Sequence, residues 1–202
     1  MSSLIKTGLF GGTFNPIHNA HLRVAERAYS QFQLDRVIFI PSKIPPHKQN
    51  SEIPSAEDRY QMVKLAINSH DNLDISRVEI NRPGPSYTVD TLEHMRKSYS
   101  RIGFIVGADN LIRIKTWKSP EKLLTMCPFL VAPRHGYGEN DFRDGIFEGK
   151  DLRFLDMDEI SLSSSQIRER YEQGLSVDNL IPPEVKSYIE QSGLYRSAST
   201  SV

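Results

Sequence analysis

The sequence predicts an α/β fold built on a single parallel β-sheet, and three observations lead to that prediction. Short apolar segments alternate along the chain with segments of helical periodicity, which is typical of a parallel sheet covered by helices. The apolar segments end at glycine, proline or polar residues, as buried strands do. The 202 residues suffice for one domain that buries roughly 70% of the surface of its unfolded chain.

Six short segments predict the strands. They are Leu4–Phe10, Arg36–Pro41, Leu73–Ile80, Arg101–Gly107, Phe129–Ala132 and Leu152–Leu155. Short apolar runs of this kind are typical of strands that are buried on both faces of a sheet. The segment from Pro41 to Pro54 is too rich in proline for a helix or a central strand, so it predicts a loop.

Helical spacing of apolar residues predicts the helices between these strands. In the first one, which begins near His21, Leu22, Ala25, Tyr29 and Phe32 recur on one face. The others are predicted at Ala56–Asn68, at Val89–Tyr99, from Pro120 to about Thr125, and at about Ser164–Gln173 and Pro183–Gln191. With right-handed crossovers this order gives a doubly wound, Rossmann-like parallel sheet with helices on both faces, and the last two helices form a small C-terminal helical lobe.

The domain organisation is predicted to be simple. Residues 1–195 form one domain, and the small polar residues 196–202 are expected to be a disordered tail. Apolar residues near the end of the chain fit either the core or a subunit interface, so a homo-oligomer remains open; they are Leu180, Ile181, Val185 and Ile189.

Charge and composition exclude several classes of protein. Lys plus Arg and Asp plus Glu both total 25, and this net charge of +0 argues against a general nucleic-acid binder. No segment approaches the roughly 18 apolar residues of a membrane span, and the N-terminus has no signal-peptide pattern. Cys127 stands alone and cannot form an intramolecular disulfide. We therefore expect a cytoplasmic protein that uses neither nucleic acid nor a membrane.

The first candidate site follows the first strand. In open α/β sheets ligands bind beyond the carboxyl ends of the strands, and here Gly11, Gly12, Thr13 and Phe14 lead towards two histidines. The glycines allow close approach of the backbone to a ligand and a positive φ, and the following helix start can receive phosphate oxygens. His18 and His21 share one side of the first helical turn, where their imidazoles can donate to an oxyanion.

Two structural alternatives and a metal site compete with this interpretation. Glycines after a strand are common in α/β folds, and the histidines fit a helix cap and a core residue. A zinc site has no third ligand at a known spacing. The pattern also lacks the lysine of a P-loop and the spacing of the dinucleotide-binding glycine motif, so a different kind of phosphate site is predicted.

A second candidate site begins the helix near residue 164. Ser163 and Gln166 have the spacing of a capping box, which is sufficient to explain the pattern structurally. The functional hypothesis adds that Ser164, Ser165 and Arg168 bind anionic oxygens at this helix start.

Polar residues follow the other strands as well. His47 and Lys48 lie in the proline-rich loop, and Tyr87 and Thr88 follow a rigid Gly-Pro-Ser turn. Gly107 and Asp109 come directly after the fourth strand, where the carboxylate fits a ribose or a helix cap, and Trp117 has a polar setting that favours stacking on an aromatic ligand.

Taken together, these segments resemble the bacterial nicotinate-nucleotide adenylyltransferases, in the nucleotidylyltransferase superfamily whose hallmark is a histidine pair of the form HxGH. The resemblance rests on GLFGGTFNPIHNAHL, IPPHK, RPGPSYTVDTL, VGADNL with Trp117, and SSSQIRER, which together span most of the chain. The chain departs from the family pattern at a few positions: Asn15 replaces Asp, Ala20 replaces the glycine of the histidine motif, Ser165 replaces Thr, Lys118 replaces an aromatic residue, and His135 follows Arg134 in place of Pro.

The resemblance implies that ATP and nicotinate mononucleotide react to give nicotinate adenine dinucleotide and pyrophosphate, by in-line attack of the acceptor phosphate on the α-phosphorus. It implies that His18 and His21 stabilise the α-phosphate and that magnesium arrives with ATP. Arg168, Ser164 and Ser165 would hold the outer phosphates, and Lys48 and His47 would close over them. Asp109 would bind a ribose, while Tyr87, Thr88, Trp117 and Arg134 would contact the acceptor.

Three alternatives compete with this function. An enzyme of the same superfamily with pantetheine phosphate as acceptor is disfavoured by the GPSYT turn and by Trp117. The second alternative is an enzyme that uses nicotinamide mononucleotide as acceptor, and an assay that compares the acid and the amide distinguishes it. A non-catalytic nucleotide sensor is disfavoured by the intact histidine pair with Arg168.

Overall fold

A wholly parallel sheet of six strands forms the centre of the computed structural model, which describes residues 4–44 and 53–195. The strands are β1 (Thr7–Gly12), β2 (Arg36–Pro41), β3 (Leu73–Ile75), β4 (Ile102–Gly107), β5 (Phe129–Ala132) and β6 (Leu152–Phe154). Their order in the sheet is β3-β2-β1-β4-β5-β6, and every neighbouring pair is parallel. The predicted doubly wound, Rossmann-like fold is confirmed.

Helices connect the strands. They are α1 (Asn19–Gln31), α2 (Ala56–Ile67), α3 (Val78–Asn81), α4 (Thr88–Met95), α5 (Ala108–Leu111), α6 (Pro120–Met126), α7 (Ser164–Glu172) and α8 (Pro183–Gln191). Local sequence explains where several of them begin. Ser55 and Ser163 accept hydrogen bonds from backbone amides of the first turns of α2 and α7, and proline occupies the first position of α6. No helix in the described ranges is long and apolar enough to cross a membrane.

Alternate residues of each strand enter two separate cores, as the twofold period of a strand requires. Phe10 and Phe39 belong to the core beneath α1, α2, α7 and α8, whereas Leu9 and Ile38 belong to the core beneath α4, α5 and α6. Ile181, Val185 and Ile189 are buried in the first of these cores, with Leu180 packed against it. These C-terminal residues therefore serve the interior of the chain itself.

The prediction of one long strand at Leu73–Ile80 is wrong. Strand β3 ends at Ile75, and the short helix α3 begins at Val78. The apolar residues shift register between Ile75 and Val78, so they cannot all face one side of a strand. The Ser76 hydroxyl accepts a hydrogen bond from the amide of Val78 at 3.3 Å and supports this change of direction.

The first strand also differs from its prediction at Leu4–Phe10. It runs from Thr7 to Gly12, and Leu4 is 55% exposed. Gly11 and Gly12 pair with Ile40 and Pro41, so both glycines belong to the strand and the turn starts only at Thr13. The predicted tail at 196–202 lies outside the described residues.

Candidate active site

The strand order reverses between β1 and β4, and a cleft of about 770 Å³ opens at the carboxyl ends of these two strands. This is the place where open α/β sheets bind ligands. The cleft brings together these residues that the sequence analysis selected: Gly11, Gly12, Thr13, Phe14, His18, His21, Tyr87, Thr88, Gly107, Asp109, Trp117, Arg134, Ser164, Ser165 and Arg168. The other two, His47 and Lys48, lie outside the described residues.

The two histidines lie at the start of α1 with their rings stacked. His18 is the residue that caps the helix, and the centroids of the His18 and His21 rings are 3.7 Å apart. The backbone N–H of His18 donates to Nδ1 of His21 at 3.3 Å, which assigns the proton of a neutral His21 to Nε2. The His18 side chain is buried, and its Nδ1 has no hydrogen-bond partner among the described residues.

Both imidazoles are neutral near pH 7. Burial, together with the positive charge of Arg134, lowers the pKa of His18 to about 3. Burial also lowers the pKa of His21 well below its ordinary value, with His18 and Arg134 adding to the shift. A neutral imidazole has one N–H, so each ring can donate one hydrogen bond to an anion.

The turn from Thr13 to Pro16 has its carbonyl groups bound from outside. Arg168 Nη1 donates to the carbonyl of Asn15 at 2.8 Å, and the Ser164 hydroxyl donates to the carbonyl of Pro16 at 2.9 Å. The positive φ expected at the glycines occurs instead at Phe14, where φ is 49°. A Cβ on Gly12 would lie 2.9 Å from the Phe14 ring, so any other residue at position 12 would force this buried ring to move.

Arg168 and the serines of α7 therefore contact the turn as well as the cleft. Arg168 Nη2 donates to the Ser165 hydroxyl at 3.1 Å, so the hydroxyl retained at this position fixes the guanidinium. The capping box between Ser163 and Gln166 is also present. The structural interpretation of this segment is thus confirmed, whereas the binding of anionic oxygens by Ser164, Ser165 and Arg168 stays a prediction.

Asp109 and Arg134 face each other across the end of β4. Arg134 Nε lies 3.4 Å from Asp109 Oδ1, an atom that is buried without a hydrogen bond among the described residues. Arg134 Nη1 donates to the carbonyls of Ile160 and Leu162, at 3.0 and 3.1 Å. Nη1 of Arg134 thus holds the segment that leads into α7, and the expected contact of Arg134 with the acceptor stays a prediction.

The far end of the cleft is lined by Tyr87, Thr88 and Trp117. Tyr87 and Thr88 lie at the start of α4, and the Trp117 ring packs edge-on against Phe104. Lys118, which stands where the family often has an aromatic residue, lies 3.0 Å from both oxygens of Asp90 and 4.8 Å above the Tyr87 ring. Its amine thus ties the Trp117 loop to the first turn of α4.

A buried polar cluster supports this end of the cleft. The Thr91 hydroxyl donates to Glu79 Oε1 at 2.6 Å, and burial raises the pKa of the Glu79 carboxyl. The Ser86 hydroxyl bonds to the same carboxyl and accepts from the backbone amide of Lys43 at 2.9 Å. Glu79 lines the cleft, yet sequence reasoning missed it because that segment was predicted to be a strand.

Two other residues that reach the turn were missed. Arg59 donates to the carbonyl of Thr13 at 2.8 Å, and the Tyr195 hydroxyl donates to Asn15 Oδ1 at 2.6 Å. Arg59 shares a helical face with Met62, Val63 and Ala66, and an arginine on an apolar face is a sequence feature that could have identified it. Nothing in the sequence near Tyr195 indicates its partner.

Comparisons with known proteins show the family of the chain. The family model described as cytidylyltransferase-like matches residues 9–170. A nicotinate-nucleotide adenylyltransferase of Bacillus subtilis is 39% identical to the chain over 194 residues, covering 95% of the chain and 99% of the relative. A probable nicotinate-nucleotide adenylyltransferase of Clostridium tetani is 40% identical over 198 residues, with coverage of 95% and 99%.

Solved structures show the same fold. The nicotinic acid mononucleotide adenylyltransferase of Plasmodium falciparum, complexed with NaAD, superposes with a TM-score of 0.80 at 19% identity. The match covers 95% of this chain and 97% of that one.

Proposed function

Because the chain belongs to the cytidylyltransferase-like family, and within it to the nicotinate-nucleotide adenylyltransferases, we propose that the cleft between β1 and β4 is its active site. The enzyme transfers AMP from ATP to nicotinate mononucleotide, giving nicotinate adenine dinucleotide and pyrophosphate in NAD biosynthesis. The observation that carries this assignment is the stacked pair of neutral histidines beside the turn at the reversal of strand order.

The reaction needs positioning and charge stabilisation more than acid–base chemistry. The 5′-phosphate of the acceptor is anionic at neutral pH, so it attacks the α-phosphorus of ATP in line without a general base, and pyrophosphate leaves. Negative charge grows on the oxygens of the α-phosphate as the new bond forms. Nε2–H of His21 and the His18 ring are placed to donate to these oxygens, and each neutral ring carries one N–H for this purpose.

The remaining contacts divide between the two substrates. Arg168, Ser164 and Ser165 lie at the phosphate end, and Asp109 is the carboxylate for a ribose. Tyr87, Thr88 and Trp117 form the acceptor end, where the nicotinate ring stacks on Trp117 and its carboxylate binds Thr88 and nearby amides. This division predicts that the acid is used much faster than nicotinamide mononucleotide, which lacks the carboxylate.

Magnesium enters this scheme as part of the ATP substrate. In the described ranges no three His, Cys, Asp or Glu side chains cluster in a way that would hold a metal ion. Magnesium usually keeps several waters and binds through substrate phosphates. The hydrogen-bond donors that line this cleft would contact other oxygens of the same phosphates. Because ATP is a cytoplasmic substrate in bacteria, we also place the enzyme in the cytoplasm.

The test is pyrophosphate release from ATP and magnesium, with the acid and the amide acceptor compared in parallel. His21→Ala should lower turnover by about a hundredfold to a thousandfold at saturating substrates, the usual loss of one oxyanion donor. His70→Ala is the matched control, because His70 pairs with Glu26 outside the cleft. Near-unchanged turnover of His21→Ala, or equal rates with acid and amide, would contradict the corresponding assignment.

A further inference from the structure

Arg59 is a buried cation that the proposed mechanism does not use. It is the largest of the fully buried side chains, at 1% exposure, and it lies in α2 outside the lining of the cleft. No carboxylate among the described residues forms an ion pair with it. Burying an ion is costly unless its hydrogen-bonding groups are satisfied, so a buried arginine needs a specific set of acceptors.

Those acceptors are three backbone carbonyls from separate segments. Arg59 Nε donates to Pro54 at 3.1 Å, Nη1 to Thr13 at 2.8 Å, and Nη2 to Lys43 at 3.2 Å. The planar guanidinium presents its donors in a fixed fork, so the three carbonyls are held in a fixed relation to one another. Arg59 thus joins the turn after β1 to the segment after β2 and to the start of α2.

The bond to Thr13 determines how the next peptide group is oriented. In a trans peptide the C=O and N–H point in opposite directions, so holding the Thr13 carbonyl against α2 turns the Phe14 N–H away from that helix. Arg168 and Ser164 hold the carbonyls of Asn15 and Pro16. With the Thr13 carbonyl held against α2, the Phe14 N–H lies on the opposite side of its peptide group and can donate to an anion in the cleft that Phe14 lines, as the donors of an anion-binding nest do.

The bond to Lys43 extends the same effect to the acceptor end. The amide of Lys43 donates to the Ser86 hydroxyl at 2.9 Å, and the amide of Ser86 donates to the carbonyl of Ile44 at 3.1 Å. Ser86 immediately precedes Tyr87 and Thr88. One buried guanidinium therefore connects the phosphate turn with the loop that leads into the acceptor pocket.

We propose that Arg59 is a positioning residue for adenylyl transfer, which holds the Thr13–Phe14 peptide group in the orientation that receives the phosphates of ATP. This inference rests on the proposed function. Arg59 touches neither substrate, and it acts through the Thr13 and Lys43 carbonyls that it binds.

The test compares two substitutions of Arg59 with a control in the same helix. Arg59→Met keeps the aliphatic stem and removes all donors, whereas Arg59→Lys keeps the charge but not the fork. Met62→Ala is the control, since Met62 is 0% exposed on the same face of α2 and its truncation weakens the core. Urea unfolding gives the stability of each variant. The kcat, the KM and the affinity for ATP are then measured under conditions in which every variant is fully folded.

We expect Arg59→Met to lower kcat by about tenfold to a hundredfold and to weaken ATP binding without acceptor by about tenfold, because a small misplacement of binding groups has effects of this size. Arg59→Lys should recover part of both losses. Met62→Ala should be less stable yet keep kcat and ATP affinity within about twofold, since packing loss alone leaves the site of the folded enzyme in place.

Two results would overturn the proposal. One is an Arg59→Met enzyme with kcat and ATP affinity within about twofold of the unchanged enzyme, and the other is an equal loss in Met62→Ala. If Arg59→Met does not fold, Arg59→Lys takes its place, and a kcat and an ATP affinity within about twofold of the unchanged enzyme would again overturn the proposal. Should the unchanged enzyme fail to release pyrophosphate with nicotinate mononucleotide, the proposed function fails, and ATP binding by the variants still decides the role of Arg59.

Discussion

The burial of His18 makes the stability of the protein depend on pH in a direction that can be stated in advance. The pKa of His18 is lowered to about 3 in the folded state, chiefly by burial, whereas an unfolded chain has a histidine pKa of about 6.5. Between these values the unfolded state binds a proton that the folded state does not. The contribution of His18 to stability is therefore complete above about pH 6.5 and declines as the pH falls towards 3.

The size of the effect follows from the same values. At pH 5.0 the solution is about 1.5 units below the unfolded pKa, and each unit corresponds to about 1.4 kcal/mol. Lowering the pH from 7.5 to 5.0 should thus remove about 2 kcal/mol of unfolding free energy through His18 alone. His18→Asn removes this contribution while keeping a residue that caps helices well.

Urea unfolding of both proteins at pH 7.5 and 5.0 measures the difference. The unchanged protein should lose about 2 kcal/mol more than His18→Asn, and the contributions of groups remote from position 18 should largely cancel. His135→Asn, at an exposed surface histidine, is the matched control. Losses that agree within about 0.5 kcal/mol would mean that His18 is not held neutral, and the neutral-donor mechanism would fail with it.

Two further predictions concern groups around the cleft. Gly107→Ala places a Cβ 2.6 Å from Asp109 Oδ1 and displaces this carboxylate. Steady-state kinetics should then show the KM for ATP raised about tenfold, which corresponds to the loss of one hydrogen bond to a charged group. Gly138→Ala is the control and should leave the KM unchanged, because the space around its Cβ is open. Thr91→Val removes the hydroxyl that donates to buried Glu79, so the unfolding free energy measured in urea should fall by about 1–3 kcal/mol. Thr125→Val, at the surface, is the control and should change it little. Equal effects of Gly107→Ala and Gly138→Ala, or of Thr91→Val and Thr125→Val, would contradict the reasoning.

Local patterns predict the sheet well, and they select residues that the structure brings together in one cleft. Buried strands end at glycine, proline or polar residues, and ligands of such sheets bind beyond the carboxyl ends of the strands, so the residues that follow the strands are the candidate site residues. The histidine spacing likewise follows from helical geometry. The failure at Leu73–Ile80 is local as well, since the register of its apolar residues changes after Ile75.

The sequence could not show which polar side chains form hydrogen bonds with backbone carbonyls of distant segments. Arg134 follows a strand just as a binding residue would, yet its Nη1 donates to the carbonyls of Ile160 and Leu162. The apolar helical face that Arg59 shares with Met62 and Val63 indicates that it is buried, but its three carbonyl partners do not follow from that spacing. Such hydrogen-bond partners depend on distances in the folded protein, and these distances cannot be inferred from composition or from the spacing of residues.

The hydrogen bond between Tyr195 and Asn15 has a consequence for how the enzyme is made. The two residues are 180 positions apart in the chain. At the usual 5–20 residues per second, a ribosome adds Tyr195 about 10 to 40 s after Asn15. Arg168, which binds the Asn15 carbonyl, is also synthesised late. This turn of the candidate active site is thus synthesised well before the residues that give it its final supports.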